Sequence, residues 1–139
     1  MSSGRRVRFG KFNAVGVLGA ALQVLLVHVL MERLHLPGVA ATPIAVELVV
    51  LHNFFWHERF TWRDRDPAGT LQRAVRLWRF HAGNALVSLA GNTGLTYVLV
   101  ELLKAPVLPS AAAAIAVCAP INFLLADRWV YRRPGLFTL

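Results

Sequence analysis

The sequence predicts an all-α membrane protein in which four transmembrane helices form two parallel two-helix repeats, with the N and C termini cytoplasmic. Its 139 residues are 56% hydrophobic and 16% charged, with a mean hydropathy of +0.51, which is too apolar for a soluble domain of this size. The net charge of +8 would favour nucleic acid as the partner of a soluble protein. Here the cations flank apolar runs, so we predict no nucleic-acid partner.

A near-repetition in the chain is the second observation. The segment NFFWHERFTW at residues 53–62 recurs as NFLLADRWVY at residues 122–131. In both, an apolar run ends in Asn-Phe, followed by an acid-base pair and aromatic residues, the order expected where a helix leaves hydrocarbon for headgroups. We call these two segments the exit motifs. Upstream, Arg-Phe and Asn-Ala at 8–9 and 13–14 recur at 79–80 and 84–85, which predicts a parallel repeat.

The elements follow in order from the apolar runs. A basic tail at 1–12 is predicted to precede a four-helix domain at 13–133 and a C-terminal tail at 134–139. The first run is long enough to span the membrane and is interpreted as a retained helix, not a cleaved signal. In the second helix Thr42 is predicted to cap and Pro43 to lie in the first turn. The predicted helices are about 13–34, 40–58, 80–103 and 110–128.

The basic segment at 59–79 is predicted to be a cytoplasmic loop. From Thr70 onward, apolar residues recur at helical spacing with arginines between them, which indicates a short basic helix lying on anionic lipid; a solvated linker is the alternative. Of the 15 Lys and Arg residues, 13 fall on this side and only Arg33 and Lys104 on the other. This excess predicts that both termini are cytoplasmic.

The exit motifs supply the main candidate binding residues. Arg59 and Arg128 offer planar donors suited to a phosphate, and Glu58 and Asp127 could hold those guanidinium groups or accept sugar hydroxyls. Ordinary snorkelling of the arginines at a helix end is the alternative.

Amides within the apolar runs are the second group of candidates. Asn53 and Asn122 are predicted either to fasten the two repeats together or to contact ligand. Asn84, Ser88, Asn92 and Thr96 recur every four residues in the third helix. This polar stripe either joins helices by hydrogen bonds or lines a polar path.

Glu47 is an isolated acid in the second helix, predicted to be a proton or cation site or a partner of His28. Cys118 is interpreted as packing within an apolar segment. The sequence contains no metal-ligand spacing, no nucleophile-base pair and no phosphate-binding glycine loop. We therefore predict a protein that is not an enzyme and has no metal or cofactor.

The opening RFGKFNAVG at 8–16, the four short helices and the two exit motifs together resemble the GtrA-like membrane proteins, over about residues 8–133. That resemblance implies a role in cell-surface polysaccharide synthesis. The implied activity is movement of a polyprenyl-phosphate-linked sugar, such as undecaprenyl-phosphate glucose, from the cytoplasmic to the outer leaflet. It also implies a multi-pass location in a bacterial inner membrane.

Three functions are compatible with the sequence. The first is a flippase for the lipid-linked sugar, with a homo-oligomer expected because four short helices are few for a pathway. The second is a membrane anchor for a polyprenyl-phosphate glycosyltransferase, since related four-helix modules are fused to such enzymes. The third is a small drug-proton antiporter, but the essential acid of those proteins lies in their first helix, whereas Glu47 lies in the second.

Overall fold

A computed structural model describes residues 3–67 and 69–132, apart from the side chains of Ser3, Ser88 and Leu89. All regular structure in this part of the chain is helical. The α-helices are α1 (Ser3–Glu32), α2 (Gly38–Trp56), α3 (Thr70–Leu86), α4 (Gly94–Tyr97) and α5 (Val107–Leu125). Four π-helical segments extend or join them, at His57–Thr61, Val87–Thr93, Val98–Leu102 and Ala126–Val130.

Four continuous helical stretches are long and apolar enough to cross a membrane. They are Gly4–Glu32, Gly38–Thr61, Thr70–Leu102 and Val107–Val130, which we call the first to fourth spans. This confirms the prediction of an all-α protein with four membrane-spanning helices. The parallel repeat and the cytoplasmic placement of the termini stay predictions.

Several helix boundaries differ from those predicted. α1 begins at Ser3, so the described part of the basic segment predicted as a tail forms the first turns of the helix. α2 begins at Gly38 because the carbonyl of Pro37, in extended conformation, accepts bonds from the N–H groups of Ala40 and Ala41, both at 2.9 Å. The predictions of Thr42 as the cap and of Pro43 in the first turn are therefore wrong, since both residues lie inside the helix, beyond its first turn.

The third span also begins earlier than predicted. Residues from Thr70 onward belong to the same helix as the membrane-spanning part, and not to a separate helix lying on lipid. No Gly or Pro stands between Thr70 and Phe80 to end a helix there. The predicted surface helix and the alternative of a solvated linker are therefore both wrong, since the helix is continuous from Thr70.

The chain divides into two compact units, Met1–Asp66 and Pro67–Leu139, called the first and second units. In the first unit, α1 packs against α2. Ala41 and Ala45 are completely buried beside Leu30, and their small side chains allow the two backbones to approach closely. Val27 packs against the same apolar cluster.

In the second unit, the third span packs against α5. The two helices approach closely at Gly91, where a methyl group on the α-carbon would lie 2.8 Å from the sulfur of Cys118. Cys118 is buried and its thiol is free. A glycine at this position therefore lets the third span reach a larger side chain on α5.

The helical hairpins of both units turn in the same way. His35 and Lys104, 69 positions apart, both have left-handed backbones, with φ of 53° and 55°. These are unusual values for residues with side chains. Just after each, an N–H bonds the carbonyl six residues earlier, and a proline then precedes the next helix. The bonds are Leu36 N–H to Leu30 O at 3.1 Å and Ala105 N–H to Leu99 O at 2.9 Å; the prolines are Pro37 and Pro106.

The first helices of the units match in a different register. Phe12 and Phe80, which are both buried, lie 68 positions apart, and two further pairs of buried residues share that spacing. These pairs are Val15 with Gly83 and Gly19 with Val87. The Arg-Phe dipeptides at 8–9 and 79–80 lie 71 positions apart. The spacing of 68 in the packing therefore differs by three residues, almost one helical turn, from the spacing that the dipeptides indicate. The first helices of the units match at a spacing of 68 positions and the hairpin turns at 69. The second unit therefore has one extra residue between Val87 and Lys104, where the third span widens into π-helix.

Candidate functional site

Each exit motif ends in a π-helical turn closed by an aromatic residue. Trp62 N–H bonds the carbonyl of His57 at 2.8 Å, and Tyr131 N–H bonds that of Ala126 at 2.9 Å. The side chains of Trp62 and Tyr131 are almost completely buried, at 1% and 0% exposure. The aromatic ends of the two motifs therefore anchor the chain inward, whereas the sequence indicated an aromatic belt at the headgroups.

A cation from the first helix of each unit contacts its exit motif. Lys11 Nζ donates to the carbonyl of Phe60 at 3.3 Å and lies 4.7 Å from the centre of the Phe60 ring. In the second unit, Arg79 donates to the carbonyl of Trp129 at 3.3 Å, and its guanidinium lies 6.0 Å from that ring. The last carbonyls of a helix have no partner within the helix and carry partial negative charge, so these cations stabilise the helix ends.

Lys11 and Arg79 were missed as functional candidates by the sequence analysis. A signal for them was present, because each cation stands directly before a buried phenylalanine and three residues after an arginine. The matching sets are Arg8, Lys11, Phe12 and Arg76, Arg79, Phe80. Arg76, itself buried, lies with its guanidinium 5.6 Å from the centre of the Tyr131 ring.

The exit arginines remain at the surface. The guanidinium of Arg59 lies 4.6 Å from the centre of the Phe55 ring, and the side chain is exposed. Arg128 is exposed too. Among the described residues neither forms an ion pair. The prediction that Glu58 and Asp127 hold these guanidinium groups is therefore wrong for this structure.

The two exit acids differ in environment. Glu58 is half-buried, whereas Asp127 is buried with 6% exposure. Both take part in contacts of their own. Burial of Asp127 removes it from the surface that carries Arg128, so only the arginine is presented to a ligand there.

Asn53 fastens α2 to α1 within the first unit. Its Oδ1 lies 3.2 Å from Nδ1 of His52, and its side chain packs on Gly19, where an added methyl group would lie 2.7 Å from Nδ2. This contact lies between the helices of one unit, whereas the fastening of the two repeats by Asn53 stays a prediction. Asn122, at the matching position of the second unit, is half-buried.

Only part of the polar stripe of the third span lines a common groove. Asn92 and Thr96 line a groove of about 500 Å³ between the third span and α5. Its remaining lining residues are Thr93, Tyr97, Val100, Glu101, Val107, Ala111 and Ile115. Asn84 lies outside this lining and is half-buried, and the side chain of Ser88 lies outside the described residues. Two of the three stripe members whose side chains are described therefore line the groove.

Glu47 is exposed on α2, as is His28 on α1. In the part of the chain that the structure describes, His28 forms no ion pair, so the predicted partnership with Glu47 is not observed. No group of three metal-ligating side chains comes together among the described residues.

The family model of the GtrA/DPMS transmembrane domain matches residues 11–131. The chain belongs to this family. No curated protein matches the sequence significantly. In this GtrA-family chain the matched region starts at Lys11 and ends at Tyr131, so it contains the cation that contacts each exit motif and the aromatic residue that closes it.

One ion pair of this GtrA-family protein joins the first turns of the first span to Asp64, which lies outside the spans just after the first exit motif. Arg8 donates to Asp64 at 3.0 Å, and both side chains are partly exposed. Slight burial raises the pKa of Asp64. The charge of Arg8, with smaller effects of a backbone hydrogen bond and Arg65, outweighs this and leaves the pKa below its ordinary value. Asp64 therefore favours its charged form in the folded protein.

Proposed function

We propose that this protein moves a polyprenyl-phosphate-linked sugar from the cytoplasmic to the outer leaflet, for use in cell-surface polysaccharide synthesis. Membership of the GtrA/DPMS transmembrane-domain family is the observation that carries this proposal. The resemblance described under Sequence analysis implies polyprenyl-phosphate sugar chemistry for this family, and four spans provide a membrane protein with little chain outside the bilayer.

The exposed exit arginines support a phosphate-binding role. Arg128 has no hydrogen bond or ion pair among the described residues, and Arg59 only stacks on Phe55. A guanidinium that is not committed to an internal carboxylate can bind a phosphate through two parallel hydrogen bonds. In this proposal Arg59 and Arg128 take the lipid phosphate at the side predicted to be cytoplasmic.

The proposed path requires more than one copy of the chain. Each unit contains only two spans, and small side chains on α5 would let another copy approach closely, at Ala112 and Ala113, which are exposed. We therefore include a homo-oligomer in the proposal, located in the bacterial inner membrane.

The experiment measures leaflet exchange of a short-chain polyprenyl-phosphate hexose in proteoliposomes. We expect exchange by the wild type, loss of about tenfold or more in Arg59→Ala or Arg128→Ala, and a larger loss in the double variant, since a charged hydrogen-bond pair contributes roughly 1.5–3 kcal/mol. Arg33→Ala is the matched control, because Arg33 is equally exposed but lies on the other predicted side. Equal losses in the control and the exit variants would refute the phosphate role.

Anchoring of a glycosyltransferase is the second candidate function. It is favoured by the first turns of α3, where Leu71 and Trp78 are exposed at 81% and 66% beside several arginines. Exposed apolar side chains among cations suit a protein partner or a lipid surface. If wild-type protein binds the lipid-linked sugar without exchange, and a transferase co-purifies only when Leu71 and Trp78 are intact, anchoring replaces transport as the function.

A further inference from the structure

The groove of the second unit differs chemically from the exit motifs. Its polar side chains all come from the third span, and its apolar wall comes from α5 through Val107, Ala111 and Ile115. The described lining includes a carboxylate, Glu101, and no Lys or Arg. Glu101 lies 4.0 Å from Nζ of Lys104, which is not among the lining residues. A neutral group with hydroxyls could donate hydrogen bonds to the carboxylate and the amide.

One side chain of the groove has an unsatisfied amide oxygen, and a rotation of that side chain would turn the oxygen toward such a hydroxyl. Oδ1 of Asn92 is inaccessible to solvent and has no hydrogen-bond partner among the described residues. Leaving a buried acceptor unsatisfied is costly, and native structures rarely do so without a ligand, a water or a partner group. The hydroxyl of Thr96 lies one helical turn further along the same lining.

The matching part of the first unit carries apolar side chains. Val27, the counterpart of Thr96 in the register of the hairpin turns, packs against the cluster of Leu30, Ala41 and Ala45. A polar lining at this position is therefore specific to the second unit.

We infer that this groove binds the sugar of a lipid-linked saccharide, with sugar hydroxyls on Asn92, Thr96 and Glu101 and the first part of the lipid chain on the apolar wall of α5. This inference rests on the proposed function and adds the sugar subsite to it. The volume of about 500 Å³ lies within the range of about 300–1,000 Å³ usual for small-molecule sites. Its residues lie in the half of the third span away from the exit motifs, so the sugar and the exit arginines act at different depths.

The test measures binding of two probes to the full-length protein in nanodiscs. The probes are a short-chain polyprenyl-phosphate glucose and the same lipid phosphate without the sugar. We expect the double variant Asn92→Ala, Thr96→Val to bind the sugar lipid roughly tenfold or more weakly, since each neutral hydrogen bond lost costs roughly twofold to tenfold in affinity. Binding of the sugar-free lipid should change less than twofold.

A matched double variant in the first unit, Gln23→Ala with Thr42→Val, should leave the binding of both probes unchanged. If the groove variant fails to fold, Tyr97→Phe and Glu101→Gln replace it, since both side chains are exposed and their changes conserve shape. Equal weakening of both probes, or no weakening, would overturn the inference. So would a change in subunit number caused by the groove variant, because the groove would then be filled by a second copy of the chain.

Exchange in proteoliposomes separates this inference from the proposed function. If wild-type protein shows no exchange but discriminates between the probes through Asn92, the sugar subsite stands and transport fails. If exchange is normal and the groove variant still binds the sugar lipid like the wild type, transport stands and the subsite fails.

Discussion

The contact between Gly19 and Asn53 gives the sharpest test of the packing of the first unit. A β-carbon at Gly19 would lie 2.7 Å from Nδ2 and 2.9 Å from Cγ of Asn53, closer than real side chains approach. Gly19→Ala must therefore displace the Asn53 side chain or separate α1 from α2. Overpacking of this kind costs typically about 1–3 kcal/mol.

Gly16 provides a control on the same helix, one turn away. An added methyl group at Gly16 meets nothing within 4 Å. Gly16→Ala should raise the free energy of unfolding by about 0.5–1 kcal/mol, because alanine restricts the unfolded backbone and favours helix. Gly19→Ala gains the same helical preference but also suffers the clash, so the two variants should differ by about 1–3 kcal/mol.

The assay is reversible unfolding of purified protein in mixed micelles, followed by circular dichroism. A third variant, Gly19→Ala with Asn53→Ala, removes the side chain with which the new methyl group clashes. It should recover most of the free energy of unfolding that Gly19→Ala loses, and a double-mutant cycle quantifies this recovery. If Gly16→Ala and Gly19→Ala change stability equally, or if removing Asn53 gives no recovery, then the amide does not pack on Gly19 and the reasoning fails.

Three further predictions follow from the same structure. Gly91→Ala should destabilise the second unit by about 1–3 kcal/mol, since its methyl group would lie 2.8 Å from the sulfur of Cys118. Gly94→Ala is the control, because its methyl group meets no neighbour. In an unfolding assay, adding Cys118→Ala to Gly91→Ala should relieve the clash. Asp64→Asn should lose less than about 1 kcal/mol at pH 7, because the ion pair is partly exposed. Its folded pKa lies below the ordinary 3.8, so the wild-type advantage should be present above about pH 4 and disappear as the pH falls through the folded pKa; an advantage that grows with acid would contradict this sign. Glu47→Gln should keep lipid exchange within twofold of wild type, and loss of exchange would instead make this acid a coupling site.

The four spans were predictable because long apolar runs bounded by cations have few other uses. The widening into π-helix was not, since residues such as Val87 and Val98 carry no side-chain signal for a hydrogen bond one residue longer. The start of α2 was misplaced for a related reason. Thr42 and Pro43 resemble a helix start, but Pro37 also sets an extended conformation just before a helix, and the earlier position prevailed.

The candidate site was partly predictable. Arg59 and Arg128 were identified because the exit motifs repeat, and the structure keeps both at the surface. The contact of Arg79 with Trp129 was missed although a signal for it was present, because basic residues recur every three positions in each first helix. That regular spacing allows two alignments of the helices, three residues apart. Only packing against the neighbouring helix distinguishes them.

The single extra residue in the third span has a consequence for how the two halves of this duplicated chain could diverge. One residue turns an α-helix by about 100°, so side chains within the widened stretch cannot all face the same way as their counterparts in the other half. A polar side chain placed there would meet a new environment without any change at the hairpin turn or the exit motif. Divergence could therefore begin with a shift in helical phase before any binding residue was selected, leaving one half as a fixed scaffold and the other open to acquire a ligand.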